Sequence, residues 1–237
     1  MFSVLIGRLL SVFGLVIIAR KVYRKKFFIE EATRILTPVQ KEYNILIRRY
    51  NQGTDDQKKA EENRQMFVEF AYWLRLNKRP PVRSLDIGGR AGLFSFILKS
   101  FGHDVLSTDL QEVLNSLPDK DLLELFKVAN TSLKIESFRP VQLPNGRKFD
   151  LVTGFRTRFH SPDAYWGVEA WEFFLRDLAD NVLTEHGEIF FWLNPLEPRG
   201  LAESMPEKFK KMFTKNGAIV RQSFVYFPSV KKLRTTK

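Results

Sequence analysis

The chain has 237 residues, which is enough for one domain of about 150 residues plus an extension. Hydrophobic residues make up 44% of the chain and charged residues 27%, a composition that is typical of a globular protein and excludes a disordered one. The absence of cysteine excludes disulfides and thiolate metal sites. The three histidines lack a metal-ligand spacing, so we expect no bound metal.

The formal net charge of +11 is unevenly distributed along the chain. Residues 1–83 contain 17 Lys and Arg against 8 Asp and Glu, whereas residues 84–237 contain 21 against 19. The basic excess therefore belongs mostly to the N-terminal third. The near balance of the larger part argues against a uniformly basic nucleic-acid-binding domain, and we do not expect nucleic acid as a partner.

The N-terminus begins with an apolar stretch, FSVLIGRLLSVFGLVIIA at residues 2–19, which a single charge, Arg8, interrupts. As a helix it would be about 27 Å long, close to the roughly 30 Å hydrocarbon core of a bilayer. Five of the next seven residues, RKVYRKK at 20–26, are basic, as expected beside anionic lipids at a cytoplasmic membrane surface. We therefore predict that residues 1–26 anchor the chain in a membrane, with its larger part on the cytoplasmic side.

Other interpretations of this segment stay open. It can lie in the plane of the membrane surface or pack as a buried helix, because Arg8 is costly inside a bilayer. A helix here would carry Ser3, Gly7 and Ser11 on one ridge of small residues, a pattern that can pair two copies into a homodimer.

Residues 27–81 have the pattern of a helical extension. Residues 27–50 predict a helix with a break at Thr37-Pro38, and NQGTDD at 51–56 predicts a turn. A second helix should run to about Asn77, with an apolar face that comprises Phe67, Phe70, Ala71 and Leu74. We expect these helices to cover the main domain as a lid, although they could also act as a spacer.

From Val82 to the C-terminus, apolar strand-like runs alternate with helical patterns. Strands are expected at 82–87, 104–108, 149–154, 187–193 and 218–226 with a short one at 133–136, and helices at 92–100, around 110–129, 166–180 and 204–215. Such alternation predicts an α/β domain over residues 82–237, with a doubly wound, mostly parallel sheet and helices on both faces. A ligand should bind at the carboxyl ends of the strands.

The first strand leads into a glycine-containing turn, Asp86 to Gly92, with the pattern D-x-G-x-x-x-G. Counted from Gly88, the three glycine places of a dinucleotide-binding turn hold Gly88, Arg90 and Leu93, so the pyrophosphate-cradling pattern is absent. Asp109 ends the second strand, where a carboxylate can accept both hydroxyls of a ribose. The pattern favours an adenosine without a pyrophosphate. A tight turn without a ligand, and Asp109 as a helix N-cap, are the structural alternatives.

These residues resemble the class I S-adenosylmethionine-dependent methyltransferases, whose first motif is a strand followed by D-x-G-x-G-x-G and whose second strand ends in an acid. The resemblance continues through KFDLVTGF at 148–155, which looks like the fourth strand of that family. LTEHGEIFFWLNP at 183–195 looks like the turn into its fifth strand. Together these stretches extend from Val82 to about Tyr226.

The resemblance implies a Rossmann-like methyltransferase fold, S-adenosylmethionine as cofactor, and a role for each matching residue. Asp86 would organise the methionine end, Gly88, Gly89 and Gly92 would form the wall beneath the cofactor, Asp109 would hold the ribose, Leu110 would flank the adenine, and Gly154 would lie near the methyl-transfer centre. Two departures from the family pattern are Arg90, where the family has its middle glycine, and the C-terminus, where residues 230–237 would have to form the last strand of the closing hairpin.

The loop after the fourth strand, residues 155–171, should contact the methyl acceptor. His160 has a near-neutral pKa suited to a general base, although a loop histidine also commonly bonds only to backbone. Arg156 and Arg158 could receive a phosphate or carboxylate of the acceptor, or be surface residues in solvent. Trp166 could help form an apolar acceptor pocket, or belong to the core.

The leading hypothesis from the sequence is a membrane-associated S-adenosylmethionine-dependent methyltransferase that acts on a small-molecule or lipid-linked acceptor. A catalytically inactive scaffold with the same fold at the membrane is the alternative, motivated by Arg90 and the thin C-terminal strand. A nicotinamide-dependent oxidoreductase is disfavoured by the glycine spacing.

Overall fold

The computed structural model of the protein describes residues 24–50, 54–143, 146–157, 159, 166–193 and 205–235. Between Asn77 and Lys78 the chain divides into two compact units. The apolar run at 2–19, with its ridge of small residues, lies outside the described residues. Within the ranges that are described, the structure contains no helix both long enough and apolar enough to cross a bilayer.

The described residues of the N-terminal unit are mostly helical. Helix α1 covers residues 24–36, a 3-10 turn covers Thr37–Val39, α2 covers Gln40–Tyr50, and α3 covers Thr54–Trp73. The predicted break at Thr37-Pro38 is confirmed. It lies there because a proline inside a helix lacks the N–H that would donate to the preceding turn.

Polar and aromatic contacts join α1 to the end of α3. The Tyr72 hydroxyl donates to Glu31 Oε1 at 2.9 Å, and the same carboxylate accepts two hydrogen bonds from the Arg34 guanidinium. The Phe28 ring meets Tyr72 edge to face at a centroid separation of 5.6 Å. Buried residues at helical spacing, Phe28, Ala32, Ile35 and Leu36, define the apolar side of α1.

The second unit alternates strands and helices from Lys78 onward. Its strands are β1 Arg83–Ile87, β2 Asp104–Asp109, β3 Ala129–Ser132, β4 Phe149–Phe155, β5 Leu183–Trp192, β6 Ile219–Arg221 and β7 Phe224–Phe227. Its helices are α4 Leu93–Ser100, α5 Gln111–Leu114, α6 Asp119–Phe126, α7 Val168–Asp177 with a π-helical turn at Leu178–Val182, α8 Glu207–Lys215 and α9 Lys231–Thr235.

The described strands form one seven-stranded sheet in the order β3-β2-β1-β4-β5-β7-β6. All neighbours pair in parallel except β7, which is antiparallel to both β5 and β6. This confirms the predicted doubly wound, mostly parallel fold, preceded by a helical extension. Because the order reverses at β1, where β2 lies on one side and β4 on the other, the crevice for a ligand opens at the carboxyl ends of these three strands.

Two sequence-based strand predictions are wrong at the edges of the sheet. The strand expected at 133–136 is instead Ala129–Ser132, and the strand expected at 218–226 is a hairpin of β6 and β7. In the second case the turn at Gln222, with φ +52°, divides the expected strand into two, and alternation of polarity alone did not reveal it.

The C-terminal segment is also not the predicted last strand, because Lys231–Thr235 is helix α9. Val230 and Leu233 are buried in the main core, three residues apart, as a helix requires. The Arg234 guanidinium donates to the carbonyl oxygens of Ala179, within the π-helical turn, and of Leu183, the residue that follows it. The edge of the sheet is therefore completed by the β6-β7 hairpin, and α9 closes the core beside it.

Candidate active site

A cavity of about 1000 Å³ lies at the carboxyl ends of β1, β2 and β4, within the second unit. Its size is at the upper end of the range for small-molecule sites. The residues that line it include Gly88, Arg90, Asp109, Leu110, Phe155, Arg156 and Trp166. The structure thus brings together residues from the first, second and fourth strand ends, as the parallel topology predicts.

Asp86 lies immediately before the lining residues and is 1% exposed. Its two carboxylate oxygens accept hydrogen bonds from Thr153 Oγ1 and Ser95 Oγ, both at 2.8 Å. Burial raises the pKa of Asp86 to about 6, although both hydroxyl donors counteract this effect. Asp86 therefore joins β1, β4 and α4, and its ionised form is held at a cost in stability.

The first two glycines of the turn are packed too tightly for a side chain. Gly88 has φ +69°, and a Cβ on it would lie 2.6 Å from Thr157 Oγ1. A Cβ on Gly89 would come well inside 3.0 Å of Ser107 Oγ. The N–H groups of both glycines donate to the Thr108 carbonyl of β2, at 2.7 and 3.0 Å. The loop is thereby fixed against the second strand.

Gly92 ends the turn and precedes α4. Its φ of +71° lies in the left-handed region that glycine adopts without strain, and a Cβ there would lie 2.7 Å from Leu123 Cδ2 of α6. Its N–H donates to the Gly89 carbonyl at 2.8 Å. Gly92 therefore closes the turn and lets α4 and α6 approach each other, while it does not itself line the cavity wall.

Asp109 lies at the end of β2 and lines the cavity. Its Oδ2 accepts the N–H of Arg90 at 3.1 Å, and its Oδ1 accepts the N–H of Leu110 at 2.8 Å. The N-cap of α5 is Leu110, without a side-chain cap, so the interpretation of Asp109 as a helix N-cap is wrong. Burial raises the pKa of Asp109, and the neighbouring Asp119 adds to this.

Arg90 adopts a left-handed backbone with φ +46°, which takes the place of the glycine expected there. Its side chain is 72% exposed and extends to Asp119, where Nε donates to Oδ2 at 3.1 Å. Asp119 itself is 3% exposed and also lines the cavity. Arg90 therefore balances the charge of a buried carboxylate. The sequence analysis missed Asp119, because an acid in the first turn of a helix is ordinarily explained by the helix dipole.

The predicted acceptor loop is only partly described. Arg158 and His160 lie outside the described residues, so their roles stay predictions. Gly154 is buried in β4, where a Cβ would lie 3.1 Å from Phe191 of β5 and the wall of the cavity is made by the next two residues. Its small size therefore serves packing within the sheet.

Trp166 is 2% exposed and packs against Phe159, Trp171 and Phe174 in the main core. It also contributes to the cavity wall, together with Phe159. The two interpretations of Trp166 from the sequence, core residue and pocket residue, are therefore compatible, since one ring can do both.

The arrangement determines which kind of ligand the cavity suits. The backbone N–H groups of Gly88, Gly89 and Arg90 donate to oxygen atoms of β2, so they are not directed at a phosphate. The carboxylates of Asp109 and Asp119 line the same wall. Because Arg90 balances the charge of Asp119, it is the carboxylate of Asp109 that favours a ligand with hydroxyl donors or positive charge.

Neither a protein-family model nor a curated protein sequence matches the chain. It is similar to the solved structure of a ribosomal protein L11 methylase from Lactobacillus delbrueckii subsp. bulgaricus, at 16% identity over 70% of this chain and 77% of that one, with a TM-score of 0.43. For a putative O-methyltransferase from Nostoc punctiforme the identity is 18%, the coverage 68% and 56%, and the TM-score 0.48. For the 16S rRNA N2 G1207 methyltransferase of T. Thermophilus, in complex with AdoMet and guanosine, the identity is 17% and the TM-score is 0.44. That comparison covers 68% of this chain and 41% of the other. The chain spans about half the length of the last two. At such identities the similarity concerns the fold alone.

Proposed function

We propose that the protein is an S-adenosylmethionine-dependent methyltransferase that acts on a small-molecule or lipid-linked acceptor. The observation that carries the proposal is the position and hydrogen bonding of the turn after β1. Its glycines bring the backbone close to a cavity whose wall contains Asp109, while their N–H groups are bonded to Thr108. This suits an adenosine with free ribose hydroxyls and a cationic sulfonium, and it does not suit a dinucleotide with its pyrophosphate.

The residues present fit this cofactor in the proposed arrangement. Gly88 lines the cavity and has no side chain to separate its backbone from a ligand, while Gly89 is packed against Ser107 behind it. Asp109 has lone pairs to accept ribose hydroxyls beyond the two N–H groups that it already binds. Leu110 offers an apolar edge beside it for the adenine.

S-adenosylmethionine supplies, when bound, a methyl group on a positively charged sulfur. The protein then has to align the acceptor with that methyl group and to exclude water. Phe155 and Trp166 make the wall near β4 apolar, which serves both purposes. His160 is our proposal for a general base where the acceptor carries a proton, on the evidence of the sequence alone.

Calorimetric titration of S-adenosylmethionine and S-adenosylhomocysteine into the wild-type chain tests the proposal. Asp109→Asn should weaken both by about tenfold or more, because a hydrogen bond to a charged group is worth about 1.5–3 kcal/mol. Glu136→Gln, at another carboxylate of the cavity wall, is the matched control and should have little effect. A folded wild-type chain that binds neither compound would refute the proposal.

A catalytically inactive protein of the same fold is the second candidate, and the observation that favours it is Arg90 in the place of a glycine, with its side chain at the cavity wall. The two candidates differ in turnover. Binding of S-adenosylmethionine with no formation of S-adenosylhomocysteine against a broad set of acceptors, lipids included, would support the inactive scaffold. In that case Arg90→Gly should also form no S-adenosylhomocysteine.

Membrane attachment of the N-terminus is part of the proposal and is supported by the sequence alone. The apolar run at 2–19 and the basic residues at 20–26 suit an anchor whose catalytic unit lies on the cytoplasmic side, beside anionic lipids. Extraction of cell membranes with alkaline carbonate tests it. Full release of the protein would argue against a spanning helix, and weak binding to anionic vesicles would argue against an interfacial one. Pairing through the Ser3, Gly7 and Ser11 ridge remains a proposal, testable by crosslinking.

A further inference from the structure

The turn after β4 holds Arg156 in an uncommon conformation. Its φ is +51°, a left-handed conformation that strains a residue with a side chain. Its N–H donates to the Trp192 carbonyl of β5 at 2.6 Å. The next residue, Thr157, donates through Oγ1 to the Ile87 carbonyl of β1 at 2.9 Å. The turn is therefore fixed to the strands on both sides of it.

The Arg156 guanidinium is also oriented. It lies 4.0 Å from the centroid of the Trp192 ring, close enough for a cation–π contact. The ring is held in turn, because Trp192 Nε1 donates to Ser223 Oγ at 3.0 Å and the ring packs on Phe224 at 5.4 Å. A guanidinium that stacks by its face keeps its N–H donors in its plane, where they match the geometry of a carboxylate or a phosphate.

Arg156 is exposed and lines the cavity on its β4 side. Asp109 lies at the end of β2, on the opposite side of β1, where the proposed function places the ribose. Three aromatic residues, Phe155, Phe159 and Trp166, also line the cavity. The cavity therefore combines aromatic residues with the oriented Arg156 guanidinium, on the β4 side that the proposed function leaves for the acceptor.

We infer that Arg156 binds an anionic group, carboxylate or phosphate, of a methyl acceptor that has an apolar body. The inference rests on the proposed function for the identity of the second substrate. It assigns Arg156, stacked on Trp192, as the residue that selects this class of acceptor and places it beside the methyl group.

The test uses three probes of one shape: benzoate, phenyl phosphate and the neutral benzamide. Each is titrated into the full-length chain saturated with S-adenosylhomocysteine, and its dissociation constant is measured by ligand-observed NMR. At least one anion should bind about tenfold or more tightly than benzamide, because the charged hydrogen bonds are lost with the neutral probe. The anion whose affinity exceeds that of benzamide by the larger factor shows whether the acceptor carries a carboxylate or a phosphate.

Two variants should abolish the preference for the anion. Arg156→Gln removes the charge. Arg156→Gly does so too and relieves the strain at φ +51°, so the folded state should lose no stability from the backbone. Arg139→Gln is the matched control, because Arg139 lines the same cavity and pairs with Glu136 at 2.7 Å. It should leave the preference unchanged.

Each contrary result has a distinct meaning. Benzamide that binds as tightly as both anions overturns the inference, as does an anion preference that survives in both Arg156 variants. Arg156→Gln that weakens S-adenosylhomocysteine as much as it weakens the anions assigns Arg156 to the cofactor, which overturns the inference and leaves the proposed function intact. A wild-type chain that binds no S-adenosylhomocysteine refutes the proposed function, while the three probes still test Arg156 without it.

Discussion

Substitution of Asp86 by asparagine should change how the stability of the protein depends on pH. Burial raises the pKa of Asp86 from 3.8 to about 6 in the folded protein, whereas the unfolded chain keeps the ordinary value. The folded state therefore binds this proton more tightly than the unfolded state. Its contribution to stability is fully present below pH 3.8 and is lost as the pH rises through about 6.

The size of the effect follows from the two pKa values. They differ by about two pH units, and each unit corresponds to about 1.4 kcal/mol. Between about pH 4 and pH 7.5 the free energy of unfolding of the wild-type chain should thus fall by about 2–3 kcal/mol through this group. Asp86→Asn should not show this fall, because asparagine does not titrate. The shape of the side chain and one acceptor oxygen for Thr153 or Ser95 are retained.

Urea unfolding of both proteins across this pH range, followed by tryptophan fluorescence, measures the difference. The free energy of unfolding of Asp86→Asn should rise relative to the wild type as the pH increases. A difference that stays constant with pH would refute the reasoning that burial destabilises the ionised carboxylate. Thr153→Val is the companion variant: it removes the hydroxyl that donates to Asp86 at 2.8 Å, so the pKa should rise further and the transition should move to higher pH.

Two further substitutions test packing and charge around the same strands. Gly89→Ala should lower the free energy of unfolding by about 1–3 kcal/mol, because its Cβ collides with Ser107 Oγ. Ser107→Ala removes that atom and should restore most of the loss in the double variant. If urea titrations show that the two substitutions have additive effects, the collision is not the cause. Arg79→Ala should lower the free energy of unfolding by about 1–3 kcal/mol, because Glu188 is partly buried and, among the described residues, keeps the Tyr226 hydroxyl as its side-chain donor. Adding Glu188→Gln should recover part of this loss. An unchanged loss would show that the ion pair is not the cause.

The elements of the second unit were largely predictable, because a parallel sheet covered on both faces has apolar strands and amphipathic helices in alternation. The strand ends that carry Asp86 and Asp109 could be named for the same reason, since ligands bind where parallel strands end. The edges were not predictable. Residues 230–237 are polar enough for either a strand or a helix, and α9 forms because Val230 and Leu233 reach the core only at helical spacing.

The sequence did not predict which residues form hydrogen bonds or ring contacts with the site residues. Ser95 and Thr153 lie 9 and 67 residues from Asp86, and no local pattern relates them to it. Trp192 likewise becomes the support of Arg156 only because β4 and β5 pair in parallel with Phe155 opposite it. The sequence suggested an arginine for an anionic acceptor, and the structure supplies the ring that orients it.

The spacing of apolar residues and the positions of glycine and acid therefore determined the class of fold. They also indicated the strand ends that line the cavity, since both features depend on local geometry and on which faces are buried. Tertiary structure alone decided that the N–H groups of Gly88 and Gly89 donate to Thr108, that Arg90 neutralises Asp119, and that Trp192 supports Arg156. Each of these depends on distant segments meeting in one register, and the strength of a hydrogen bond or an ion pair falls steeply with the distance that this register sets.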